Sequence, residues 1–197
     1  MTAKQADLKI LYDLTINCHN CSLNQTRTHL VFGDGNPDSP VMFIGEAPGK
    51  DEDIQRKPFV GRSGQLLSEI IFSVFNWTRD DYYITNILKC RPTINLEMKK
   101  DRPPEKEEIA NCIVILMEQI QIIQPKVIVA IGASSAKTLL STSEGISKLR
   151  GKWYKFQEFP VMPTFHPSYL LRNGGSKSLL YKIMVDDLIL VRDRIQN

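Results

Sequence analysis

The sequence predicts an α/β protein, a three-layer α/β/α sandwich with a central four-stranded, mainly parallel sheet. Two observations predict this class. Short apolar runs with strand character alternate along the chain with amphipathic stretches of helical periodicity. This alternation is typical of parallel sheets, because the crossover between parallel strands is usually a helix. The composition, with 42% hydrophobic and 24% charged residues, is that of a globular protein.

Four apolar runs carry the strand prediction: residues 41–44, 82–88, 127–131 and 161–165. The clearest is the run VIVAI at 127–131, which is rich in β-branched residues and is closed by Gly132. The fourth strand is expected to be short, because Pro160 and Pro163 cannot donate to the hydrogen-bond ladder of a sheet.

Four stretches predict the helices that follow these strands: residues 66–75, 109–123, 135–140 and 180–195. Pro103 and Pro104 precede the second helix, and Pro125 stops it. The length of 197 residues suits one domain, so residues 1–197 are expected to fold as a single unit.

The net charge and the apolar pattern exclude several classes of protein. A charge of +3 permits nucleic-acid binding but does not by itself indicate it. No apolar stretch approaches the ~20 residues of a membrane span, and residues 1–14 lack the apolar core of a signal peptide. We therefore expect a cytoplasmic protein without a membrane partner. Four cysteines are too few for a disulfide scaffold of this length.

The cysteines are candidate metal ligands. Cys18 and Cys21 form a C-x2-C pair, Cys90 ends a predicted strand, and Cys112 lies in a predicted helix. Such a four-thiolate set suits zinc or an iron–sulfur cluster, and the absence of a second C-x2–4-C pair favours a cluster slightly. The alternatives are a buried core thiol at Cys112 and a redox pair at residues 18–21.

Parallel sheets place their sites at the carboxyl ends of the strands, and unusual residues occur there. The turn GEAPG at residues 45–49 follows the first strand, and Glu46 is either an acid–base group or part of an acidic surface turn. This turn matches neither G-x-G-x-x-G nor a P-loop. In the basic loop at residues 57–64, Phe59 either stacks on a base or anchors the loop on the core.

Asn86 and His166 lie near the ends of the second and fourth predicted strands. Asn86 offers a donor and an acceptor together, which suits the edge of a base, or it satisfies nearby backbone. His166 suits charge stabilisation, acid–base chemistry or metal binding, although a lone histidine is more often structural. Tyr169, Leu170 and Arg172 form an apolar wedge beside a cation, which suits insertion into DNA or the packing of the last helix.

Together, these motifs resemble the uracil-DNA glycosylase superfamily, and most closely its family 4, the iron–sulfur uracil-DNA glycosylases. The resemblance extends from about Cys18 to Arg172. Its motifs, in order, are CHNC (18–21), GEAPG (45–49), PFVGR (58–62), TNILKCRP (85–92), Cys112 and HPS (166–168). Each motif is weak alone, but their joint occurrence in this order is far more specific.

The resemblance implies a DNA-repair enzyme that flips uracil out of DNA and hydrolyses its glycosidic bond, leaving an abasic site. It implies a 4Fe–4S cluster that ties residues 1–30 to the core and is held by Cys18, Cys21, Cys90 and Cys112. It implies a uracil pocket made by Gly45, Glu46, Ala47, Phe59, Asn86 and His166. Of these, His166 and Glu46 are the implied catalytic residues: His166 stabilises the uracil anion, and Glu46 acts at the sugar as a base or by positioning water.

The resemblance also implies action on uracil-containing DNA, single- or double-stranded. We expect a monomer, because a DNA-repair enzyme of this size needs no partner to enclose its site. The implied DNA contacts are Arg62, Ser63, Ser168, Tyr169, Leu170 and Arg172. The alternative function is a non-catalytic or covalent uracil-DNA-binding member of the same superfamily. Covalent binding in one relative uses a histidine in an inserted basic loop, and residues 91–104 contain none. A metal-bound DNA-binding module and an unrelated zinc protein are further alternatives.

The small net charge is expected to conceal a basic face. Seven cations lie in or beside the site loops: Lys50, Arg56, Lys57, Arg62, Lys89, Arg91 and Arg172. Salt-sensitive DNA binding would reveal such a face.

Overall fold

A computed structural model describes residues 1–94 and 100–196. The described helices are α1 (Ala3–Thr15), α2 (Leu23–Thr26), α3 (Lys50–Gln55), α4 (Arg62–Phe75), α5 (Lys106–Ile123), α6 (Ala133–Leu140), α7 (Ile146–Leu149), α8 (Pro167–Arg172) and α9 (Leu179–Gln196). The strands are β1 (Asp34–Gly35), β2 (Val41–Gly45), β3 (Tyr83–Asn86), β4 (Val127–Ile131), β5 (Tyr154–Phe156) and β6 (Phe159–Thr164). Part of the histidine-free segment, residues 95–99, lies outside the described residues.

The strands form one sheet in the order β1-β3-β2-β4-β6-β5. The four inner strands are parallel, and they correspond to the four predicted strands. The predicted strand number is wrong, because β1 and β5 add antiparallel edges to the sheet. These edge strands are only two and three residues long and are not fully buried, so no apolar run marks them in the sequence.

The prediction that the fourth strand is short is also wrong. β6 is six residues long and contains both Pro160 and Pro163. The carbonyl of Pro163 accepts a hydrogen bond from the N–H of Gly151, on the side of β6 away from β4. The nitrogen of Pro163 faces this same side. β5 pairs only with residues 159–161 of β6, so no β5 residue lies opposite Pro163, and the hydrogen-bond ladder between β6 and β4 loses no donor there.

Helices cover both faces of the sheet, which confirms the three-layer prediction. Alternate side chains of β2 point to opposite faces, as the pleat requires. Met42 and Ile44 pack in a core with α1, α5 and α6, whereas Val41 and Phe43 pack in a second core with α4 and α9. No helix among the described residues is long and apolar enough to cross a membrane.

The strand order opens a crevice at the carboxyl ends of the parallel strands. β3 and β4 lie on opposite sides of β2, so the chain changes direction across the sheet after β3. Ligands of open parallel sheets bind at this kind of switch point, beyond the carboxyl ends of the strands. The register places Gly45 beside Asn86 at that edge.

Candidate active site and candidate metal centre

Two adjoining cavities lie at the carboxyl ends of the parallel strands. The smaller, of about 280 Å³, is lined by Ala47, Gly49, Glu52, Phe59, Ser63, Asn86, Asp101, His166 and Ser168. The larger, of about 600 Å³, is lined by Glu46, Ala47, Ile109, Ile131, Gly132, Ala133, Ser134, Lys137, Thr138, His166, Ser168 and Arg172. His166 lines both cavities, so its imidazole is accessible from the smaller cavity and from the larger one.

Gly45 is the point at which two walls of the smaller cavity meet. A Cβ atom at this position would lie 2.4 Å from Asn86 Oδ1 and 2.5 Å from Phe59 Cζ. Any side chain at residue 45 would therefore displace the amide or the ring. The missing side chain lets both groups approach the same backbone position.

The loop that carries Phe59 is held in one conformation by its neighbours. Phe59 has a φ of 55°, an uncommon value for an aromatic residue, and is 7% exposed. A Cβ at Gly64 would lie 1.8 Å from the Phe59 carbonyl oxygen, so only glycine fits there. Glu52 accepts hydrogen bonds from the N–H groups of Gly49 and Gly61, which joins this loop to the turn after β2. Phe59 both anchors the loop in the core and lines the cavity.

The Asn86 amide is available to a ligand. Asn86 is 2% exposed, and its side chain lines the smaller cavity. Among residues 1–94 and 100–196, no group hydrogen bonds that amide, although the backbone carbonyl of Asn86 has a partner. Buried amides are normally paired, so a bound molecule is the expected partner.

His166 is a neutral hydrogen-bond donor. Its Nδ1 atom accepts a hydrogen bond of 3.1 Å from the backbone N–H of Ser168, and the Ser168 hydroxyl lies 2.8 Å away. Because a backbone N–H can only donate, the ring proton lies on Nε2. Burial, together with the positive charge of Arg172, lowers the pKa of His166 to about 4. The ring centroids of His166 and Phe59 are 5.9 Å apart.

Glu46 lines the larger cavity, and so does Ser134, a residue that is not among the predicted site residues. Burial raises the pKa of the Glu46 carboxyl, and a hydrogen bond with Ser134 opposes this rise. Ser134 is the second residue of α6, directly after β4, so the pair bridges the switch point. The only sequence signal for Ser134 is its position after the strand-ending Gly132.

The implied DNA contacts separate into exposed and buried residues. Arg62, Tyr169 and Arg172 are exposed, and Tyr169 is 41% exposed. Arg172 lines the larger cavity, whereas Arg62 lines a third cavity together with Lys177. Ser63 and Ser168 are half-buried in the wall of the smaller cavity. Leu170 is completely buried in the core beneath α4 and α9. The wedge therefore presents Tyr169, not Leu170, to the solvent.

The expected basic face contains fewer cations than the sequence indicates. Lys89 is fully buried and Arg91 is 7% exposed, so both must be removed from that face. Lys57 forms an ion pair of 3.6 Å with Asp34. Arg62 and Arg172 form no ion pair with any described residue, and the exposed Lys137 lines the larger cavity together with Arg172.

The four cysteines lie around one small cavity between the N-terminal segment, the end of β3 and α5. Two sulfurs accept hydrogen bonds: Cys90 Sγ from Arg27 Nη1 at 3.1 Å, and Cys112 Sγ from the N–H of Lys89 at 3.2 Å. Within the described ranges, no group of three or more cysteine, histidine or acidic side chains is placed to hold a single metal ion.

Comparison with known proteins gives the family. A model of the uracil DNA glycosylase superfamily matches residues 32–189. The chain belongs to the uracil DNA glycosylase superfamily. This result confirms the resemblance that the motifs indicate, and the matched region contains both cavities described above.

Three relatives place the chain near one branch of the superfamily. A Type-4 uracil-DNA glycosylase of Sulfurisphaera tokodaii is 41% identical over 194 residues, which cover 94% of this chain and 84% of the relative. One of Thermotoga maritima is 40% identical, covering 95% and 94%. One of Saccharolobus solfataricus is 36% identical, covering 97% and 88%, so this last match reaches into the segment before residue 32.

We predict that His166 stays neutral, with its proton on Nε2, throughout the pH range 5 to 8. The folded-state pKa of about 4 lies below the ordinary histidine value of about 6.5. As the pH falls, the unfolded chain therefore takes up a proton at His166 before the folded chain does. The contribution of His166 to the free energy of unfolding is lost from about pH 6.5 downward. Nitrogen-15 NMR of the imidazole, with the exposed His19 as reference, tests this. A proton on Nδ1, or protonation of His166 near pH 6.5, would contradict it.

Proposed function

We propose that this protein is a uracil-DNA glycosylase, which hydrolyses the bond between uracil and deoxyribose and leaves an abasic site. One observation carries the proposal: an aromatic ring and an unpaired amide meet at Gly45, within reach of a neutral imidazole donor. The relatives that carry this name support it.

The smaller cavity binds the flipped base. Phe59 stacks on the uracil ring, and stacking of this kind contributes roughly 1–3 kcal/mol, which offsets part of the cost of extrusion. The Asn86 amide accepts from N3–H and donates to O4. Cytosine presents the opposite pattern at these atoms, so binding it would leave buried groups unpaired.

The His166 imidazole stabilises the leaving group. When the bond from C1′ to N1 breaks, its electron pair leaves with the base as a uracil anion. The Nε2–H of His166 donates to O2, where much of that charge develops. Since the ring is neutral before the reaction, it stabilises this charge as a preset hydrogen-bond donor.

Glu46 acts at the sugar. Its carboxylate lies in the larger cavity, where it stabilises the positive charge of the oxocarbenium-like sugar. The same carboxylate orients the water whose oxygen bonds to C1′, and it takes up the proton that this water loses. The Ser134 hydroxyl holds the carboxylate in place and favours its ionised form.

The DNA backbone follows the exposed cations that line the larger cavity and the surface around Arg62. Arg62, Arg172 and Ser168 contact phosphates, and Tyr169 fills the space that the extruded base leaves in the stack. The protein acts in the cytoplasm as a monomer, on uracil in single- or double-stranded DNA.

We further propose that Cys18, Cys21, Cys90 and Cys112 hold a 4Fe–4S cluster. Each thiolate of such a cluster binds a different iron, so the sulfurs lie farther apart than the ligands of one ion. The common cavity that all four cysteines line supports this proposal, as do the hydrogen bonds to two of the sulfurs. The cluster supplies a structural cross-link between residues 1–30 and the core rather than a step of the hydrolysis.

The decisive experiment is a uracil-release assay. Purified protein, with its iron content measured, is incubated with oligonucleotides that contain uracil alone, opposite guanine or opposite adenine, and free base is quantified by mass spectrometry. Release of uracil, with no release from a matched thymine oligonucleotide, is the expected result. Tight binding without release would favour the non-catalytic alternative, and a protein–DNA adduct would favour the covalent one.

Asn86→Asp should relax the discrimination against cytosine. The ionised carboxylate lacks the donor that uracil O4 needs, whereas the carboxyl group accepts from the cytosine amino group and, when protonated, donates to N3. We expect uracil release to fall roughly 100-fold, on the basis of one lost buried hydrogen bond near a charged group, while the ratio of cytosine to uracil release rises. Asn76→Asp is the matched control, because Asn76 is exposed at the far end of α4. An unchanged ratio in Asn86→Asp would exclude Asn86 as the reader of the base.

Cys18→Ala should lose iron and stability together, because cluster binding contributes folding free energy. Iron per protein and the thermal midpoint are the measurements, and the exposed neighbour Ser22 provides the control variant Ser22→Ala. A normal iron content in Cys18→Ala would remove this cysteine from the ligand set.

A further inference from the structure

The third cavity adjoins the two cavities of the proposed site, and no step of the proposed reaction uses it. Its volume is about 490 Å³, and its walls come from α4, the end of α8 and the loop at residues 174–177. Arg62 and Leu171 line this cavity, whereas their chain neighbours Ser63 and Arg172 line the smaller and the larger cavity. A DNA strand that passes the base pocket therefore reaches the third cavity across α4 and α8.

Two cations from separate elements line the third cavity. Arg62 begins α4, and Lys177 ends the short 3₁₀ turn at residues 175–177. Both side chains are exposed, and neither forms an ion pair with any described residue. An anion from outside the protein can therefore bind both cations without breaking an internal pair.

The loop between α8 and α9 adds backbone donors to this cavity. Gly174 and Gly175 have φ values of 99° and 61°, in the left-handed region that favours glycine. Among the described residues, no acceptor pairs with the N–H groups of Gly174, Gly175 and Ser176. Successive N–H groups in a turn of this kind form a concave binding site for anions. A Cβ at Gly175 would meet no atom within 4 Å, so the space around this residue is open.

One carboxylate, that of Glu69, opposes an anion in the same cavity. Glu69 follows Arg62 by seven residues on α4, which corresponds to about 10 Å along a helix. Among the described residues, no cation lies within 4.0 Å of this carboxylate. Because two cations and three N–H groups face one carboxylate, the lining still favours an anion. The carboxylate weakens that preference, so its removal should strengthen anion binding.

We infer that the third cavity binds a backbone phosphate of the strand that carries the uracil, through Arg62, Lys177 and the N–H groups of residues 174–176. This inference rests on the proposed function, because it assigns the same DNA as the ligand. It implies a requirement for the substrate: uracil inside a strand should be a better substrate than uracil at the strand end that lacks this phosphate.

Four variants test the charge of the cavity. Lys177→Ala removes one cation, whereas Lys177→Arg keeps the charge. Glu69→Gln removes the opposing charge, so it tests the same cavity with the opposite sign even if Lys177→Ala fails to fold. Lys126→Ala is the matched control, because Lys126 is exposed and directly precedes β4, at the end of the sheet opposite the cavities.

The first measurement is the affinity for a single-stranded thymine oligonucleotide at several concentrations of KCl. Lys177→Ala should bind roughly tenfold more weakly, because it loses one charge-assisted contact. The slope of log affinity against log salt should become shallower by about 0.7, because one phosphate contact fewer releases fewer counterions. We expect wild-type values in Lys177→Arg and Lys126→Ala, and tighter binding in Glu69→Gln.

The second measurement locates the phosphate. In a series of uracil oligonucleotides, one phosphate at a time is replaced by an uncharged methylphosphonate, on either side of the uracil. At one position, this replacement should raise the KM for uracil release roughly tenfold in the wild-type protein. The same replacement should have no further effect in Lys177→Ala, because that variant has already lost the contact.

The outcomes distinguish this inference from the proposed function. Wild-type affinity in Lys177→Ala, or an equal loss in Lys126→Ala, overturns the inference, and so does a scan in which every methylphosphonate adds to the effect of Lys177→Ala. If Lys177→Ala fails to fold, wild-type affinity in Glu69→Gln overturns it.

The source of the phosphate is tested separately. If Lys177→Ala weakens the binding of inorganic phosphate but not of DNA, the cavity holds a free anion and the DNA contact is overturned. A wild-type protein that binds DNA but releases no uracil refutes the proposed function, whereas the salt slopes on thymine oligonucleotides still decide whether the third cavity binds a phosphate.

Discussion

The register between β2 and β3 is the constraint on which the rest of the site depends. It places Gly45 beside Asn86 at the edge where both strands end. Because Gly45 has no side chain, the Asn86 amide and the Phe59 ring approach the same point on the backbone. A slip of one residue would turn the Asn86 side chain to the other face of the sheet. The pocket is therefore a consequence of strand pairing before any loop contributes to it.

The loops around this edge are held by side chains whose role is positional. Glu52 joins the turn after β2 to the Phe59 loop through two backbone N–H groups. Asp53, the next residue, accepts from the N–H groups of Thr28 and His29 and so attaches the N-terminal segment to α3. Consecutive residues of one short helix thus connect the base pocket with the segment that follows the C-x2-C pair.

The sequence predicts the parallel core and most of the site because both depend on local patterns. Apolar periodicity identifies the four inner strands, and polar residues at strand ends identify Asn86 and His166. The prediction fails where a residue's environment comes from distant segments. Leu170 looks like part of an exposed wedge but packs under α4 and α9, and Lys89 looks like a surface cation but is buried against Thr85, Asn86 and Gln119. The edge strands escape prediction because they are too short to carry a periodic signal.

The sequence by itself determined the fold class, the family and the set of chemical groups, because these follow from residue type and from the order of motifs along the chain. Only the tertiary structure decided which of these groups meet. The Nε2–H tautomer of His166 and the attachment of Lys89 to Gln119 each depend on hydrogen bonds between particular atoms. Such bonds require distances of about 3 Å. Residue spacing along a chain cannot specify those distances, whereas packing of the folded sheet and helices does.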